Sequence, residues 1–238
     1  MKILKKRNLY QLTFMSAIFP VNCFVYEKSD CLMVFDMGMK GFVNEIKKLE
    51  EQTGKSVSTL LLTHAHGDHV NGVPKFREVF PKVKIGISAR DKKLLAGDFS
   101  LLETEAPGKI KGGVPKAEVP VDFTFEPGEE IAGLKVIAAP GHTPGSVAFL
   151  NEDSVMIAGD AFQLWGGIAV AGIVRPLFPF PAFGTWDATT ALESARKLVK
   201  LEPKLLAVGH GDLLENPTAD MHTAIRTAER KLQLEENH

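Results

Sequence analysis

The stretch Thr63-His64-Ala65-His66-Gly67-Asp68-His69 sets four metal-binding side chains within six residues, directly after the apolar and β-branched run 57–63. A run of that length reads as a buried strand. Packing does not explain so many polar side chains at its end. His64 and His66, two residues apart, can aim both imidazoles at one ion from an extended or turning backbone. Asp68 and His69 fall where the chain turns into a helix, so the segment can serve two adjacent ions. Gly67 is expected to matter through its missing Cβ and through φ values closed to other residues.

Three more candidates follow, each just after a strand-like run and each beside glycine: His142 in Pro140-Gly141-His142-Thr143-Pro144-Gly145, Asp160 in Gly159-Asp160, and His210 in Gly209-His210-Gly211. Taken singly, each is weak, since a lone histidine is usually solvated or satisfied. Taken together, ligands at four strand ends point to one shared sheet edge, the place where open α/β sheets bind their ligands. His222 and His238 read as solvent-exposed residues without a role.

The remaining chain alternates between two periodicities. Residues 9–35 read as strands separated by turns, ending at Asp36-Met37-Gly38, after which Phe42, Ile46 and Leu49 share a helical face stopped by Gly54. A helix over 73–80, a strand over 83–87 and a short helix over 89–96 follow. Residues 97–120 carry glycines and prolines with little periodicity and read as a long loop, functional or merely solvated. Strands return at 121–125, 134–139, 146–150, 154–158 and 205–208. A helix is expected over 187–200, and a last one opens at Asn216-Pro217 with Met221, Ile225, Ala228 and Leu232 inward. Runs of strands with helices between them suggest an α/β chain with two mixed β-sheets face to face and helices outside, a four-layer αββα sandwich, folded as one domain over residues 1–238.

With these residues in view, the chain resembles the metallo-β-lactamase superfamily, whose H-x-H-x-D-H motif stands here as residues 64–69. The likeness spans nearly the whole chain, with Asp36-Met37-Gly38 similar to an early Asp-x-Gly element. It implies the αββα fold and a ligand set in which His64, His66 and His142 hold one metal, Asp68, His69 and His210 a second, and Asp160 bridges both. Asp36 would support the ligands without binding metal. True zinc β-lactamases commonly place cysteine where this chain has Asp160, so a β-lactam substrate is disfavoured. Glyoxalase II and many lactonases share the first motif but often have histidine where Ser146 stands. Ser146 itself reads as the start of a strand.

Composition bounds the rest. The 238 residues are 45% hydrophobic and 24% charged, ample for a core, and the net charge of −1 offers no field for nucleic acid or an anionic membrane. Lys2, Lys5, Lys6 and Arg7 precede the apolar stretch 9–19 in the outline of a secretory signal, but Gln11 and Thr13 interrupt it and no small-residue cleavage site follows. No apolar segment reaches the roughly 20 residues of a membrane span. Cys23 and Cys31 flank a turn at 27–30; pairing that sets Cys31 opposite Tyr26 leaves Cys23 facing Val34, so the two are expected to stay reduced, in a cytoplasmic protein.

Imidazole and carboxylate donors without thiolate suit two divalent ions, zinc first, with iron or manganese tolerated. Two such ions sharing a hydroxide would attack the ester, lactone or thioester of a small molecule, Asp68 shuttling the released proton. The rival reading is a mononuclear iron sulfur dioxygenase of the same superfamily. Residues 161–186 carry both tryptophans with Phe162, Phe178, Phe180 and Phe183 and are expected beside the metals, where they would bind an apolar substrate moiety; a homodimer contact or local core is the alternative.

Overall fold

The computed structural model describes residues 1–236. In chain order the elements are β1 (Lys2–Lys6), β2 (Leu9–Phe14), β3 (Val21–Glu27), β4 (Cys31–Phe35), α1 (Phe42–Thr53), β5 (Ser56–Leu61), α2 (Gly67–Val70), α3 (Val73–Val79), β6 (Lys84–Ser88), α4 (Ala89–Leu95) and β7 (Phe123–Phe125). There follow β8 (Glu130–Ile131), β9 (Leu134–Ala138), β10 (Val147–Leu150), β11 (Val155–Ile157), β12 (Phe162–Gln163), β13 (Ala169–Val170), α5 (Phe180–Gly184), α6 (Ala188–Val199), β14 (Leu205–Ala207), β15 (Leu214–Glu215) and α7 (Thr218–Glu236).

Strands β1 to β7 form one sheet in sequence order, antiparallel from β1 to β4 and parallel from β4 to β7. The second sheet runs β15-β14-β11-β10-β9-β8, with β11 and β14 its parallel pair. Side chains alternate between faces along a strand, and here the alternation sorts residues between separate cores. On β4, Leu32 and Val34 pack toward α1 and α3, while Met33 and Phe35 pack against the other sheet. On β14 and just beyond it, Leu205 and Ala207 face the first sheet, and Leu206 and Val208 face α6 and α7. Three cores between four layers make the expected αββα sandwich.

The helices end where the sequence says they should. Gly54 adopts φ 68° after α1 and donates its N–H to the Glu50 carbonyl, closing the helix in a left-handed cap. Asp187 caps α6 by accepting from the Thr190 N–H, and the inward face of α7 is Met221, Ile225 and Ala228, with Leu232 partly buried.

One expectation needs correction. The β3–β4 hairpin turns on Ser29-Asp30 alone: Lys28 donates its N–H to the Cys31 carbonyl and Tyr26 lies opposite Met33, not Cys31. The register therefore moves by two residues, which keeps every side chain on its expected face, and both cysteines are free thiols. The basic run at the start of the chain is an edge strand. Lys2, Lys5 and Lys6 on β1 pair with Asp212, Glu27 and Glu215, and lysines along an edge discourage a further strand from adding there. No helix among the described residues is long and apolar enough to cross a membrane. His222 is exposed, and His238 lies outside the described residues.

Phe149, fully buried between the sheets with its ring 5.4 Å from Phe35 and 5.7 Å from Phe125, should be costly to truncate. Phe149→Ala is expected to lower unfolding free energy by about 3–5 kcal/mol in urea titrations, the range for losing a buried aromatic ring. Glu27 gives a pH-dependent case: hydrogen bonds from Lys55 and then Lys5 hold its carboxyl at about 2, below the ordinary 4.5. Its stabilisation is complete above about pH 4.5 and lost as pH falls through 2. Glu27→Gln should therefore be less stable than the parent at pH 7, by at most about 1 kcal/mol, with the gap closing near pH 2.

Candidate metal centre

All seven sequence-derived ligand candidates come together at the edge where the two sheets meet. His64, His66, Asp68 and His69 follow β5; His142 sits in the loop from β9 to β10; Asp160 follows β11; and His210 follows β14. Backbone bonds hold these ends in place across the sheets. Val147 donates its N–H to the Thr63 carbonyl at 3.0 Å, and the Asn22 N–H reaches the Gly209 carbonyl at 3.0 Å. The buried Asn22 amide also donates to the Val208 and Gly211 carbonyls.

Three groups of side chains have donor atoms within 4.8 Å of one another: His64, His66 and His142; His64, His69 and Asp160; and Asp68, His69 and His210. Asp160 lies between the outer groups. Its Oδ1 is 3.3 Å from His69 Nε2, and its Oδ2 is 3.3 Å from His142 Nε2 and 3.2 Å from His210 Nε2. His66 Nδ1 and His142 Nε2 are 2.9 Å apart. Every histidine of the set is buried, whereas the Asp68 side chain keeps 31% exposure and faces the cleft.

The outward nitrogens of these rings are fixed by the protein. His69 Nδ1 lies 2.8 Å from Asp36 Oδ2, His142 Nδ1 3.0 Å from Thr185 Oγ1, His210 Nδ1 2.6 Å from the Pro20 carbonyl, and His64 Nδ1 3.0 Å from Thr63 Oγ1. Asp36 also accepts from the Thr63 N–H and hydroxyl, which ties its carboxylate to the start of the motif. Such partners set the tautomer and aim the opposite nitrogen inward. The inward atoms His64 Nε2, His69 Nε2 and Asp160 Oδ1 are buried with no hydrogen-bond partner in the protein. Buried polar atoms rarely go unpaired, and a cluster of them pointing at one another fits divalent cations.

Charge follows the same pattern. Burial pushes the His64 imidazole well below its ordinary range, helped by the neighbouring rings, and holds His142 down at about 3. Burial opposes charge on His69 and His210 as well, but Asp160 outweighs it and lifts both, His210 to about 10. Asp160 stays well below the usual carboxylate range despite its burial, because His210, His69 and His142 surround it.

Glycine makes room for this crowding. A Cβ on Gly209 would lie 2.2 Å from Asp160 Oδ1, and one on Gly112 2.0 Å from His66 Nε2. Gly67 differs from expectation: its φ is not in the left-handed region, and it is small because a Cβ would meet Asn71 Nδ2 at 2.6 Å.

A cleft of about 470 Å³ opens over the cluster, walled by Phe19, Phe180, Pro181 and Phe183 and by Asn71, Gly112 and Gly113. The long loop therefore reaches the site: Gly112 and Gly113 line it, and the Lys111 carbonyl lies 3.0 Å from His66 Nε2. The aromatic segment reaches it only in part. Phe178 packs on His210 at 5.1 Å, but Trp186 is in the core beneath the first sheet, and Trp165 lines a separate hollow with Ile18 and Leu177. The sequence reading missed Phe19, Thr185 and Asp91. Asp91 is fully buried and accepts from the Ala65 N–H, the Thr143 hydroxyl and the Gly145 N–H, so one carboxylate clamps both histidine-bearing loops.

Removing one of these orienting partners should loosen metal without unfolding the chain. Thr185→Val is expected to weaken metal affinity about 10- to 100-fold in competition with a chromophoric chelator, leaving the circular dichroism spectrum unchanged.

Comparison with known proteins agrees with this geometry. The family model of the metallo-beta-lactamase superfamily matches residues 17–210. The chain is 44% identical over 232 residues to the uncharacterized protein YobT of Bacillus subtilis (strain 168), covering 97% of this chain and 100% of that one. It is 29% identical over 204 residues to the hydroxyacylglutathione hydrolase GloC of Haemophilus influenzae, covering 81% and 86%. Among solved structures, TTHA1623 in a di-iron-bound form superposes with a TM-score of 0.62 at 25% identity, covering 87% of this chain and 95% of that one.

Proposed function

The chain belongs to the metallo-beta-lactamase superfamily, and from that premise we propose that it is a metal-dependent hydrolase of a small-molecule ester, lactone or thioester. The observation that carries this reading is the set of inward, unpartnered donor atoms around Asp160. His64, His66 and His142 would hold one divalent ion and Asp68, His69 and His210 a second, with Asp160 between them. Zinc suits the nitrogen and oxygen donors; iron is also compatible, and a relative of similar fold binds two irons. Bound there, the ions would supply Lewis-acid chemistry, lowering the pKa of a water and polarising a carbonyl oxygen.

The protein's own part is positioning and proton transfer. Asp68 is the more exposed carboxylate of the set, its side chain 31% exposed against 2% for Asp160, and it stands 3.4 Å from His210 Nε2. It is placed to take the proton of the attacking water and return it to the leaving oxygen or sulfur. Burial would raise its carboxyl, but the adjoining His210 and His69 lower it below the ordinary range. Phe19, Phe180 and Phe183 shed water from the outer cleft and cover the apolar part of the substrate. The thioester member of this set draws support from the likeness to GloC.

A panel of chromogenic esters, lactones and thioesters tests this reading. Chelator-sensitive cleavage is expected, restored by added divalent metal, and Asp68→Asn should lower kcat by about 10²- to 10⁴-fold, the usual worth of a proton-transfer group. An Asp68→Asn variant with full metal content and full turnover would contradict the role given to Asp68. Oxygen consumption on a persulfide without ester cleavage would contradict hydrolysis.

A further inference from the structure

The outer cleft has an unusual charge composition for a site that would hold two cations. Apart from the candidate ligands, its side chains are Phe19, Phe180, Pro181, Phe183 and the amide of Asn71; no lysine or arginine is among the residues lining it. The aromatic wall is prepared from the protein side. The Phe19 ring rests 5.0 Å from Phe178 and 5.3 Å from Phe180, and Phe178 packs on His210, so the wall is braced against the ligand set itself. Phe180 and Phe183 nevertheless leave 55% and 64% of their surface exposed at the mouth. Large apolar groups exposed together beside a polar centre mark a surface that gains from being covered.

We infer that this cleft selects substrates that are uncharged beyond the bond being cleaved: neutral esters or lactones with an apolar acyl group, in preference to those whose acyl or leaving group carries a carboxylate. The inference rests on the hydrolase reading and narrows it. A carboxylate carried past the metals would lie against phenylalanine rings with no lysine or arginine among the lining residues to pair with it, and covering that surface with a charged group costs part of its hydration without a compensating partner. An alkyl or aryl group there covers exposed aromatic surface instead. Asn71 is the polar exception. It is exposed at the end of α2, and its amide can bond to a neutral carbonyl or hydroxyl without demanding a charge. Glutathione carries two carboxylates at neutral pH, so this chain would part from the hydroxyacylglutathione hydrolase GloC in substrate class.

Lys111 is the nearest competing source of positive charge in sequence. It follows buried Ile110 and precedes the glycines of the cleft wall, and its side chain points to solvent while its carbonyl lies against His66. The test includes it.

The experiment compares p-nitrophenyl pentanoate with p-nitrophenyl glutarate, an ester of the same chain length ending in a carboxylate, on the metal-loaded chain. The neutral ester is expected to have a kcat/KM at least about tenfold higher. Asn71→Lys should narrow that ratio by raising the glutarate arm, and ligand-observed NMR titrations with the two corresponding amides should show the same order of affinity. Equal rates, or faster cleavage of the glutarate ester, would overturn the inference while leaving the hydrolase reading intact. A glutarate preference that disappears in Lys111→Ala would assign the missing cation to Lys111 and overturn it as well. If the metal-loaded chain cleaves neither ester, nor any other in the panel, the hydrolase reading fails and the inference with it.

Discussion

Two sheets of different origin in the chain have to deliver their strand ends to one point, and everything at the site depends on the polar contacts that hold them there. Asn22 at the start of β3 spans the gap to the β14 end through the Val208 and Gly211 carbonyls, and Thr63 accepts from Val147 across the same edge. Three apolar cores keep the four layers packed, but apolar packing is not directional. It brings the sheets together without fixing an imidazole to within a fraction of an ångström. Buried hydrogen bonds do that, because breaking one strands a donor or acceptor away from water.

The same logic extends outward from the ligands. Asp36 ties His69 to Thr63, and Asp91 ties the loop of His64 and His66 to the loop of His142. Both carboxylates are buried and saturated with donors, so they act as rigid joints. What they hold is a ring of donor atoms that the protein does not satisfy by itself. Five imidazoles and two carboxylates gathered with several inward atoms unpaired would be a poor arrangement for a structural core, and it is a natural one for cations. The apolar wall of Phe19, Phe180 and Phe183 adds a second character to the cleft, setting an uncharged surface against a strongly polar floor.

The ligand candidates were legible because their residue types and spacing have few other uses. Four groups in six residues after an apolar strand, and glycine beside every later candidate, leave a local signature. The layers were legible from runs of strands with helices between them, whereas the sorting of Leu32 and Val34 to one core and of Met33 and Phe35 to another was not, since all four are apolar. What stayed hidden was long-range. Nothing around Asp91 or Thr185 marks them as partners of histidine loops dozens of residues away, and nothing in the apolar run 9–19 marks Phe19 as part of the cleft wall. Trp165 and Phe180 share one aromatic segment, yet the chain between them carries Trp165 to a separate hollow. The hairpin register turned on whether two or four residues make the turn, which Lys28-Ser29-Asp30 does not decide by composition.

The central claim is that these inward donors form one centre for two ions. It is tested most directly by purifying the chain without added metal, loading it with zinc to saturation, and measuring metal per chain by elemental mass spectrometry, with Asp160→Asn in parallel. About two ions per chain are expected for the parent, with fewer retained after gel filtration when Asp160 is changed. A chain that saturates at one ion, or holds two as firmly without the Asp160 carboxylate, would contradict the shared centre proposed for this edge of the sandwich.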